Sequence, residues 1–317
     1  MNIKRLIIAV FVLNTVLLTS CSSPKHENTL RLGYMPNVTH APALVGIEKN
    51  IFQNELGRDI KFQPVYFLVG NSIIDAFITG QIDAAYVGPG PFINAIYRKI
   101  PVKLLANAAN GGTLIVGEGA PLHLRSGDRI AVPQYGNTQD LILRGYLERN
   151  SLADKVKIIA IPPQDTGTAF FTMSIDAACL PEPWGTLLIK KNVCKLLVDE
   201  KEVLNNGNYP VTFLVISEKL EKGNPELIQK LLQAHKKSII FLQNNSEESV
   251  DVIVEAITKI SKKNIDRDVI STSFKKCIFN DKVDFNLLKD FVQIGIKAGY
   301  YKEEFLNRFD SLSIIKP

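Results

Sequence analysis

The sequence predicts an α/β protein of two lobes, each built on a mostly parallel sheet with helices on both faces. Short apolar segments alternate with longer amphipathic segments from residue 30 to about residue 217, which is the pattern of strand–helix–strand units. A duplicated motif is the second observation: "GQIDAAYVGPGPF" at 80–92 is matched by "SIDAACLPEPW" at 174–184. Two copies are too few for a solenoid, so they indicate two similar lobes.

The first lobe is expected at residues 30–111. Gly80, the first residue of the first copy of the motif, ends the helical pattern of 71–79, and Thr39 stands where it can cap a helix. The predicted strands are 30–35, 60–67, 83–88 and 102–108, and the predicted helices are 40–50, 71–79 and 91–99.

The second lobe is expected at residues 112–212, inserted in the first, and the chain then returns to the first lobe at 213–317. The segments 113–117 and 211–217 would carry the two crossings between the lobes. The other predicted strands are 129–134, 155–161, 176–181 and 194–199, and the predicted helices are 137–150 and 184–191.

The character of the chain changes after residue 217, because residues 224–308 follow a helical pattern almost throughout. Asn224 can cap the first of these helices, and Pro225 occupies its first position, where a backbone N–H is not needed. We expect these C-terminal helices to pack back on the first lobe.

Residues 1–20 are predicted to be a signal peptide, because a positive segment precedes an apolar run that is short for a membrane span. The run ends in "LTSC" at 18–21, which resembles the lipobox of bacterial lipoproteins. The thiol of Cys21 would then carry diacylglycerol, and residues 21–29 would be a tether to an extracytoplasmic membrane face. The alternative is an ordinary signal peptide with a chance cysteine.

Charge and cysteine content limit the function. The formal net charge is +5, which includes two basic residues of the leader, and no block of lysine or arginine occurs. Nucleic-acid binding therefore finds no support. Beyond the leader, Cys179, Cys194 and Cys277 form no C-x-x-C motif and stand beside no histidine, so no metal site is predicted. Cys179 and Cys194 could pair, although buried free thiols are the expectation.

The turns that follow the predicted strands are rich in Gly, Asn, Ser, Thr and Pro, and most lead into a helix N-terminus. Ligands of open α/β sheets bind off the carboxyl ends of the strands, which is where these turns lie. Helix N-termini offer unpaired N–H groups and a partial positive charge. An anion cradle without lysine or arginine is therefore predicted, with ordinary helix capping as the alternative. Its first candidates are Asn71, Ser72, Gly136, Asn137 and Thr138.

Catalytic motifs are missing from the sequence, which has no G-x-S-x-G, H-E-x-x-H, Walker loop or G-x-G-x-x-G. We therefore expect a binding protein rather than an enzyme, without a cofactor or a metal. Among the histidines, His26 lies in the tether, and His123 and His235 are expected on the surface. His40 alone stands in a candidate site turn, where it either faces a ligand or caps and packs.

The second copy of the motif supplies different side chains from the first. Glu182 is the acid in its turn, and it either accepts a hydrogen bond from a ligand amine or caps the following helix. Trp184 either forms a wall for an apolar part of the ligand or packs between sheet and helix. Asp83 and Asp176 stand at equivalent strand starts, where we expect them to organise the preceding turns.

Several segments together resemble one family: the lipobox, "LRLGYMPNVTHAPALVGIEKNIF", "GQIDAAYVGPGPFINA", "PQYGNTQD" and "IDAACLPEPWGTLL". They are similar to the substrate-binding proteins of ABC importers for nitrate, aliphatic sulfonates and taurine, over about residues 30–220. The resemblance implies the type II periplasmic-binding-protein fold, with two crossing strands and the ligand in the cleft. It also implies a small anionic ligand and a permease with a cytoplasmic ATPase as partner, and we expect a monomer.

The resemblance also assigns the ligand head group to the turns that match the family's motifs. The residues of these turns are Pro36, Asn37, Thr39, His40, Gly70, Asn71, Ser72, Gly88, Pro89, Gly90, Gly111, Gly112, Gly136, Asn137 and Thr138. A taurine-like ligand needs an acid for its amine, which Glu182 or Asp165 could supply, whereas nitrate needs donors only. The sequence does not choose between them. Two departures from the family pattern, Asn50 and Ser174, change local turns only.

Three other functions stay open. A binder of a thiamine pyrimidine precursor would use the same fold and would need aromatic stacking from residues such as Tyr34, Tyr86 or Trp184. A naphthoate-forming lyase of menaquinone synthesis also uses this scaffold, but the lipobox argues against a cytoplasmic reaction. An adhesive surface lipoprotein would have no closing cleft.

Overall fold

The structure, a computed structural model, describes residues 28–118 and 123–309. The predicted signal peptide, Cys21 and most of the tether therefore lie outside the described residues. Over the two described ranges, no helix has both the length and the apolar character that crossing a membrane requires.

The described residues contain two sheets. The strands are β1 (Thr29–Tyr34), β2 (Lys61–Tyr66), β3 (Ala84–Val87), β4 (Val102–Gly111), β5 (Thr113–Gly117), β6 (Arg129–Val132), β7 (Lys157–Ala160), β8 (Ala177–Pro181), β9 (Lys195–Val198), β10 (Pro210–Ser217) and β11 (Cys277–Phe279). The first sheet is six-stranded, in the order β11-β4-β10-β3-β1-β2, and the second is five-stranded, in the order β7-β6-β8-β5-β9. Each sheet forms the centre of one lobe.

Most strands of each sheet run in the same direction, as the alternating pattern predicts. β1 lies parallel between β2 and β3, and β6 lies parallel between β7 and β8. β10 and β5 run against their neighbours, and each is the first strand after the chain passes from one sheet to the other. The chain passes from one sheet to the other at the carboxyl ends of the parallel strands. The next strand therefore begins at that edge of its sheet and runs antiparallel to its neighbours.

Helices occupy most of the remaining chain. They are α1 (Ala41–Glu48), α2 (Ile51–Leu56), α3 (Gly70–Ile78), α4 (Pro89–Tyr97), α5 (Thr138–Arg149), α6 (Thr166–Phe171), α7 (Trp184–Lys190), α8 (Glu200–Val203), α9 (Glu218–Gly223), α10 (Pro225–Asn244), α11 (Ser246–Ser261), α12 (Arg267–Phe274), α13 (Phe285–Lys297) and α14 (Glu304–Phe309). Short 3-10 turns lie at Val38–His40, Pro163–Asp165 and Asn205–Gly207.

The C-terminal helices pack on the first lobe, as expected from their apolar faces. α10 buries a stripe of residues at helical spacing, including Leu227, Leu231 and Leu242, against α1 and α2. The same segment also reaches the second lobe, because α12 contacts α7 and α13 contacts α5. The C-terminal helices therefore contact both lobes.

His235 of α10 is fully buried, so its expected place on the surface is wrong, whereas His123 is exposed as predicted. The Nδ1 atom of His235 lies 2.7 Å from the Tyr86 hydroxyl, and its Nε2 atom lies 2.7 Å from the carbonyl oxygen of Asn107. Burial lowers the pKa of His235 to about 4, so the ring is neutral. Its Nε2–H donates to the Asn107 carbonyl, and its Nδ1 accepts from Tyr86.

The duplicated motif makes the same contact in both lobes. Arg31 of β1 donates from Nε and Nη2 to Asp83 at 2.9 and 2.7 Å, and Arg129 of β6 donates likewise to Asp176 at 2.9 and 2.9 Å. The backbone N–H of each arginine also donates to the same carboxylate. The aspartates therefore join two neighbouring strands by a bidentate ion pair. In the first lobe the same arginine also donates from Nη1 to the carbonyl oxygen of Gly80, in the turn before Asp83.

The cysteines of the described residues are unpaired, as expected. Cys179 of β8 and Cys194 before β9 are buried. Burial raises the pKa of the Cys194 thiol to about 12, so this thiol stays protonated and behaves as a small apolar side chain.

Candidate functional site

A pocket of about 80 Å³ lies between the lobes, at the carboxyl ends of the parallel strands. A single buried water needs about 10–15 Å³ of such space, so the pocket has room for a small solute. The lining is formed by the turns and helix starts that follow the parallel strands of both lobes, by the last residue of β8 and by one residue of β10. These residues are Met35, Pro36, Asn37, Thr39, His40, Leu68, Val69, Gly70, Gly88, Pro91, Pro133, Gln134, Asn137, Thr138, Gln139, Pro163, Gln164, Pro181, Trp184 and Val211.

The first lobe contributes uncharged donors from the turn after β1. Nδ1 of His40 accepts a hydrogen bond from the backbone N–H of Met35 at 3.2 Å. Burial lowers the pKa of His40 to about 3, so the ring is neutral and carries its proton on Nε2. The Thr39 hydroxyl donates to Oδ1 of Asn37 at 2.8 Å, which leaves the Asn37 amide N–H groups for another acceptor. This wall therefore offers two kinds of neutral N–H donor.

The second lobe contributes the N-terminus of α5. Oδ1 of Asn137 accepts from the backbone N–H of Asp140 at 2.9 Å, so Asn137 is the N-cap of the helix. The N–H groups of Thr138 and Gln139 in the first turn have no acceptor within a helix. Both residues line the pocket, which therefore meets the positive end of the α5 dipole.

The two lobes touch beside the pocket, where α4 begins. The backbone N–H of Gly90 donates to the Thr138 hydroxyl at 3.3 Å. A Cβ atom at Gly90 would lie 2.4 Å from the carbonyl carbon of Asn137, and one at Gly88 would lie 2.2 Å from Oγ1 of Thr138. Real Cβ atoms do not approach so closely, so glycine at these positions lets one backbone lie against the other lobe.

Glu182 is fully buried and lies outside the pocket lining. Its carboxylate accepts hydrogen bonds from the Thr186 hydroxyl at 2.5 Å, the Thr186 N–H at 3.1 Å and the Ser273 hydroxyl at 3.2 Å. Its backbone N–H donates to the carbonyl of Gly112, and its carbonyl accepts from the N–H of Val38. Burial raises the pKa of this carboxyl above its ordinary value. Glu182 thus connects the second lobe, the crossing and α12.

Among the described residues, the lining contains no aspartate, glutamate, lysine or arginine. Its only titratable ring is His40, which is neutral. The pocket therefore combines converging uncharged donors with apolar walls, an arrangement suited to a solute with a small polar or anionic head.

A model of the NMT1-like family matches residues 23–258, which is more than half of the chain. The chain belongs to the NMT1-like family.

Relatives of this NMT1-like protein are named as binding proteins. An aliphatic sulfonates-binding protein of Bacillus subtilis (strain 168) is 23% identical over 293 residues, or 88% of this chain and 86% of that protein. The taurine-binding periplasmic protein of Escherichia coli (strain K12) is 26% identical over 226 residues, or 70% and 68% of the two chains.

A solved structure shows the same fold. The alkanesulfonate-binding protein SsuA from Xanthomonas axonopodis pv. citri, bound to MOPS, has a TM-score of 0.73 with 16% sequence identity. The superposition covers 87% of this chain and 95% of that one. The two-lobed periplasmic-binding-protein fold expected from the sequence is therefore confirmed.

The NMT1-like protein brings together only part of the predicted site. The predicted residues that line the pocket are Pro36, Asn37, Thr39, His40, Gly70, Gly88, Asn137, Thr138 and Trp184. Those outside the lining are Asn71, Ser72, Pro89, Gly90, Gly111, Gly112, Gly136, Asp165 and Glu182. Trp184 is half-buried in the wall, whereas Asp165 is exposed beside the lining residue Gln164.

Gly111 and Gly112 serve the crossing between β4 and β5. Their φ angles are 73° and 66°, in the left-handed region that favours glycine. A Cβ at Gly112 would lie 2.6 Å from Sγ of Cys277, and one at Gly111 would lie 2.8 Å from the carbonyl oxygen of Lys276. Both glycines are therefore explained by the turn itself, without a ligand.

The sequence pattern does not predict the apolar part of the lining or its glutamines. Met35, Leu68 and Val211 stand at the ends of apolar segments, where they are indistinguishable from residues of the strand core. Of the aromatic residues proposed for stacking, Tyr34 and Tyr86 are buried outside the lining, and only Trp184 belongs to it.

Proposed function

We propose that the protein is an extracytoplasmic solute-binding lipoprotein of an ABC importer, and that it binds a small oxyanion between its lobes. The candidate ligands are an aliphatic sulfonate, taurine and nitrate. The observation that carries the proposal is the set of uncharged donors around a pocket without a charged residue in its described lining. The names of two relatives support the same class of ligand.

Uncharged donors can hold an oxyanion when several converge in a site that excludes water. The His40 ring and the Asn37 amide supply N–H groups from one lobe, and the first turn of α5 supplies them from the other. Hydrogen bonds to an ion are stronger in such a low-dielectric site than in water. The dipole of α5 adds a favourable potential at the same place.

Closure of the lobes would link binding to delivery. Contact of Gly90 with Thr138 requires the two lobes to lie together, and a ligand held by donors from both lobes favours that arrangement. In our proposal the closed form docks on a permease driven by a cytoplasmic ATPase. The protein would work as a monomer, held at the membrane by a lipid on Cys21, without nucleic acid or cofactor.

Isothermal titration of the full chain in detergent with 1-propanesulfonate, taurine and nitrate tests the proposal. At least one of the three is expected to bind and to raise the melting temperature, because a ligand of the native state alone stabilises it. Sodium chloride at the same ionic strength is the control. The proposal is wrong if none of the three oxyanions binds.

A variant locates the site. Thr138→Leu places a bulky apolar side chain at the start of α5 and should abolish binding, because the threonine lines the pocket and contacts Gly90. Thr168→Leu changes an exposed threonine of α6 and should bind normally. Normal binding by Thr138→Leu would put the site elsewhere.

A thiamine pyrimidine precursor is the alternative ligand, and Trp184 in the wall is the observation that favours it. Mass spectrometry of small molecules released from the purified protein separates the two ligands. A released sulfonate supports the main proposal, and a released pyrimidine contradicts it. An enzyme on the same scaffold would instead convert the compound that it binds.

A further inference from the structure

The pocket lining combines neutral polar groups with apolar side chains. The neutral donors are His40, Asn37 and the α5 N-terminus, and three glutamine amides, of Gln134, Gln139 and Gln164, also belong to the lining. The apolar part of the lining is formed by Met35, Leu68, Val69, Pro133, Pro163, Pro181, Trp184 and Val211. A bound oxyanion would therefore have its head at the donors and the rest of the molecule against apolar side chains.

Acids close to the lining in sequence are turned away from the pocket. Pro181 and Trp184 line the pocket but Glu182 between them does not, because its carboxylate accepts from Thr186 and Ser273. Asp140 follows the lining residue Gln139, and its side chain is completely buried against other donors.

Three donors hold the Asp140 carboxylate. They are the backbone N–H of Gly136 at 2.7 Å, Nε of Arg144 at 3.0 Å and the hydroxyl of Tyr300 at 2.5 Å. Asp165 is exposed and lies outside the lining, although Pro163 and Gln164 belong to it. The acids beside the lining therefore have other partners or face solvent.

An ammonium group in such a pocket would lose its water without gaining a carboxylate, because the one buried acceptor without a partner among the described lining residues, Oε1 of Gln134, is uncharged. Burying a charged group is unfavourable unless an opposite charge or full hydrogen bonding replaces its water. A methyl group at the same position gains from burial against the apolar wall. We propose that this cleft selects short sulfonates with an uncharged, apolar substituent and discriminates against aminosulfonates such as taurine.

The inference rests on the proposed function, since it concerns which oxyanion the same site takes. Three sulfonates of nearly equal shape test it: 1-propanesulfonate, 2-hydroxyethanesulfonate and taurine, which end in methyl, hydroxyl and ammonium groups. Titration calorimetry of the full chain in detergent gives their dissociation constants. The expected order of affinity is propanesulfonate, hydroxyethanesulfonate, taurine, with at least about a tenfold difference between the first and last, the scale of one methylene-sized contact.

The outcomes separate the two proposals. Binding of taurine as tight as that of propanesulfonate, or tighter, overturns the selectivity and leaves an oxyanion-binding function standing. If none of the sulfonates binds and nitrate also fails, the proposed function is wrong and the selectivity falls with it. If nitrate alone binds, the anion function stands and the selectivity is overturned.

Variants test the cause of the selectivity. Glu182→Gln should leave the ratio of the propanesulfonate and taurine affinities unchanged, because the carboxylate does not face the ligand. Asp165→Asn serves the same purpose at an exposed position that has little influence on folding. A loss of taurine affinity alone in either variant would show that the acid contacts the amine, and would overturn the inference.

Gln164→Glu provides the converse test, because it adds a carboxylate to the lining at an exposed position with almost no change in shape. The preference for propanesulfonate over taurine is expected to shrink at least several-fold in this variant. A melting curve shows whether the variant is folded. If it is folded and its preference for propanesulfonate over taurine is unchanged, the absence of a carboxylate from the lining is not the cause of the selectivity.

Discussion

The hydroxyl of Tyr300 donates a hydrogen bond of 2.5 Å to the carboxylate of Asp140. Asp140 is buried in the first turn of α5, where it also accepts from the backbone N–H of Gly136. The guanidinium of Arg144 lies 5.0 Å from the centre of the Tyr300 ring. Tyr300 follows α13 in the C-terminal segment, so this contact joins that segment to the turn whose next residues line the pocket.

Tyr300→Phe is expected to weaken ligand binding several-fold, because the Asp140 carboxylate that holds the turn before α5 loses one donor. The variant should also lower the free energy of unfolding by about 1.5–3 kcal/mol, the range for a hydrogen bond to a charged group. Titration calorimetry and urea unfolding measure the two effects. Tyr146→Phe, the same change on a half-buried tyrosine of α5, is the control. Equal binding by the two variants would contradict the role of Tyr300.

Gly90→Ala is expected to prevent full closure, because its Cβ would lie 2.4 Å from the carbonyl carbon of Asn137 in the other lobe. Affinity should fall at least about tenfold, which corresponds to ~1.4 kcal/mol, while the melting temperature without ligand changes little. Small-angle X-ray scattering should show no compaction when ligand is added. Gly223→Ala, where a Cβ meets no atom within 4 Å, is the control. Compaction and normal affinity in Gly90→Ala would refute the closure argument.

The fold was predictable because its signals are local and repeated. The alternation of apolar and amphipathic segments identifies the strands, and the two Ile-Asp-Ala-Ala copies indicate the lobes. β5 and β10 lie close to the segments 113–117 and 211–217 expected from the pattern. Arg31 and Arg129 stand in β1 and β6, which pair directly with the strands that follow Asp83 and Asp176. The two ion pairs were not predicted, because the pairing of distant strands is not encoded locally.

The site was less predictable, because its geometry depends on contacts between lobes. Gly90 stands in a turn that resembles an anion cradle, yet its close neighbour is the backbone of Asn137 and Thr138. Glu182 stands in the equivalent turn, yet Ser273, far along the chain, binds its carboxylate. Neither partner can be identified from a pattern within one segment.

Sulfonate binding is expected to be independent of pH between about pH 5 and pH 8. Burial lowers the pKa of His40 to about 3, so the ring stays a neutral donor throughout this range, and the sulfonate stays ionised. Titration calorimetry at several pH values, corrected for buffer protonation, measures the dependence. Affinity that rises steeply as the pH falls through 6.5 would mean that His40 binds as a cation, contrary to the structure.

Protein stability, by contrast, is expected to fall as the pH is lowered from about 6.5 towards 4. The pKa values of His40 and His235 are lowered to about 3 and about 4 in the folded protein, whereas an unfolded histidine has a pKa of about 6.5. Below pH 6.5 the unfolded chain therefore binds protons that the folded chain excludes, which favours unfolding. The two neutral histidines therefore contribute fully to stability above pH 6.5, and this contribution is lost as the pH falls towards their pKa values in the folded protein.

Urea unfolding at pH 7 and pH 4.5 of the wild type, His235→Gln and His123→Gln tests this linkage. His235→Gln should lower the free energy of unfolding at pH 7. It should also reduce the difference in this free energy between pH 7 and pH 4.5, because the variant lacks one of the two histidines that bind a proton only in the unfolded chain. His123→Gln changes an exposed histidine and should keep the wild-type difference. The linkage is refuted if the buried and exposed variants behave alike.

The repeated arginine–aspartate pair predicts equal effects in the two lobes. Asp83→Asn and Asp176→Asn each remove the carboxylate from a bidentate pair with a partly exposed arginine. Each should therefore lower the free energy of unfolding by about 1 kcal/mol or less, as such pairs do. The aspartates lie in different sheets and share no partner, so their effects should add in the double variant. Asp154→Asn, at an exposed position, should leave stability unchanged. A clear loss in only one lobe would show that the two copies of the motif have different roles despite their shared geometry.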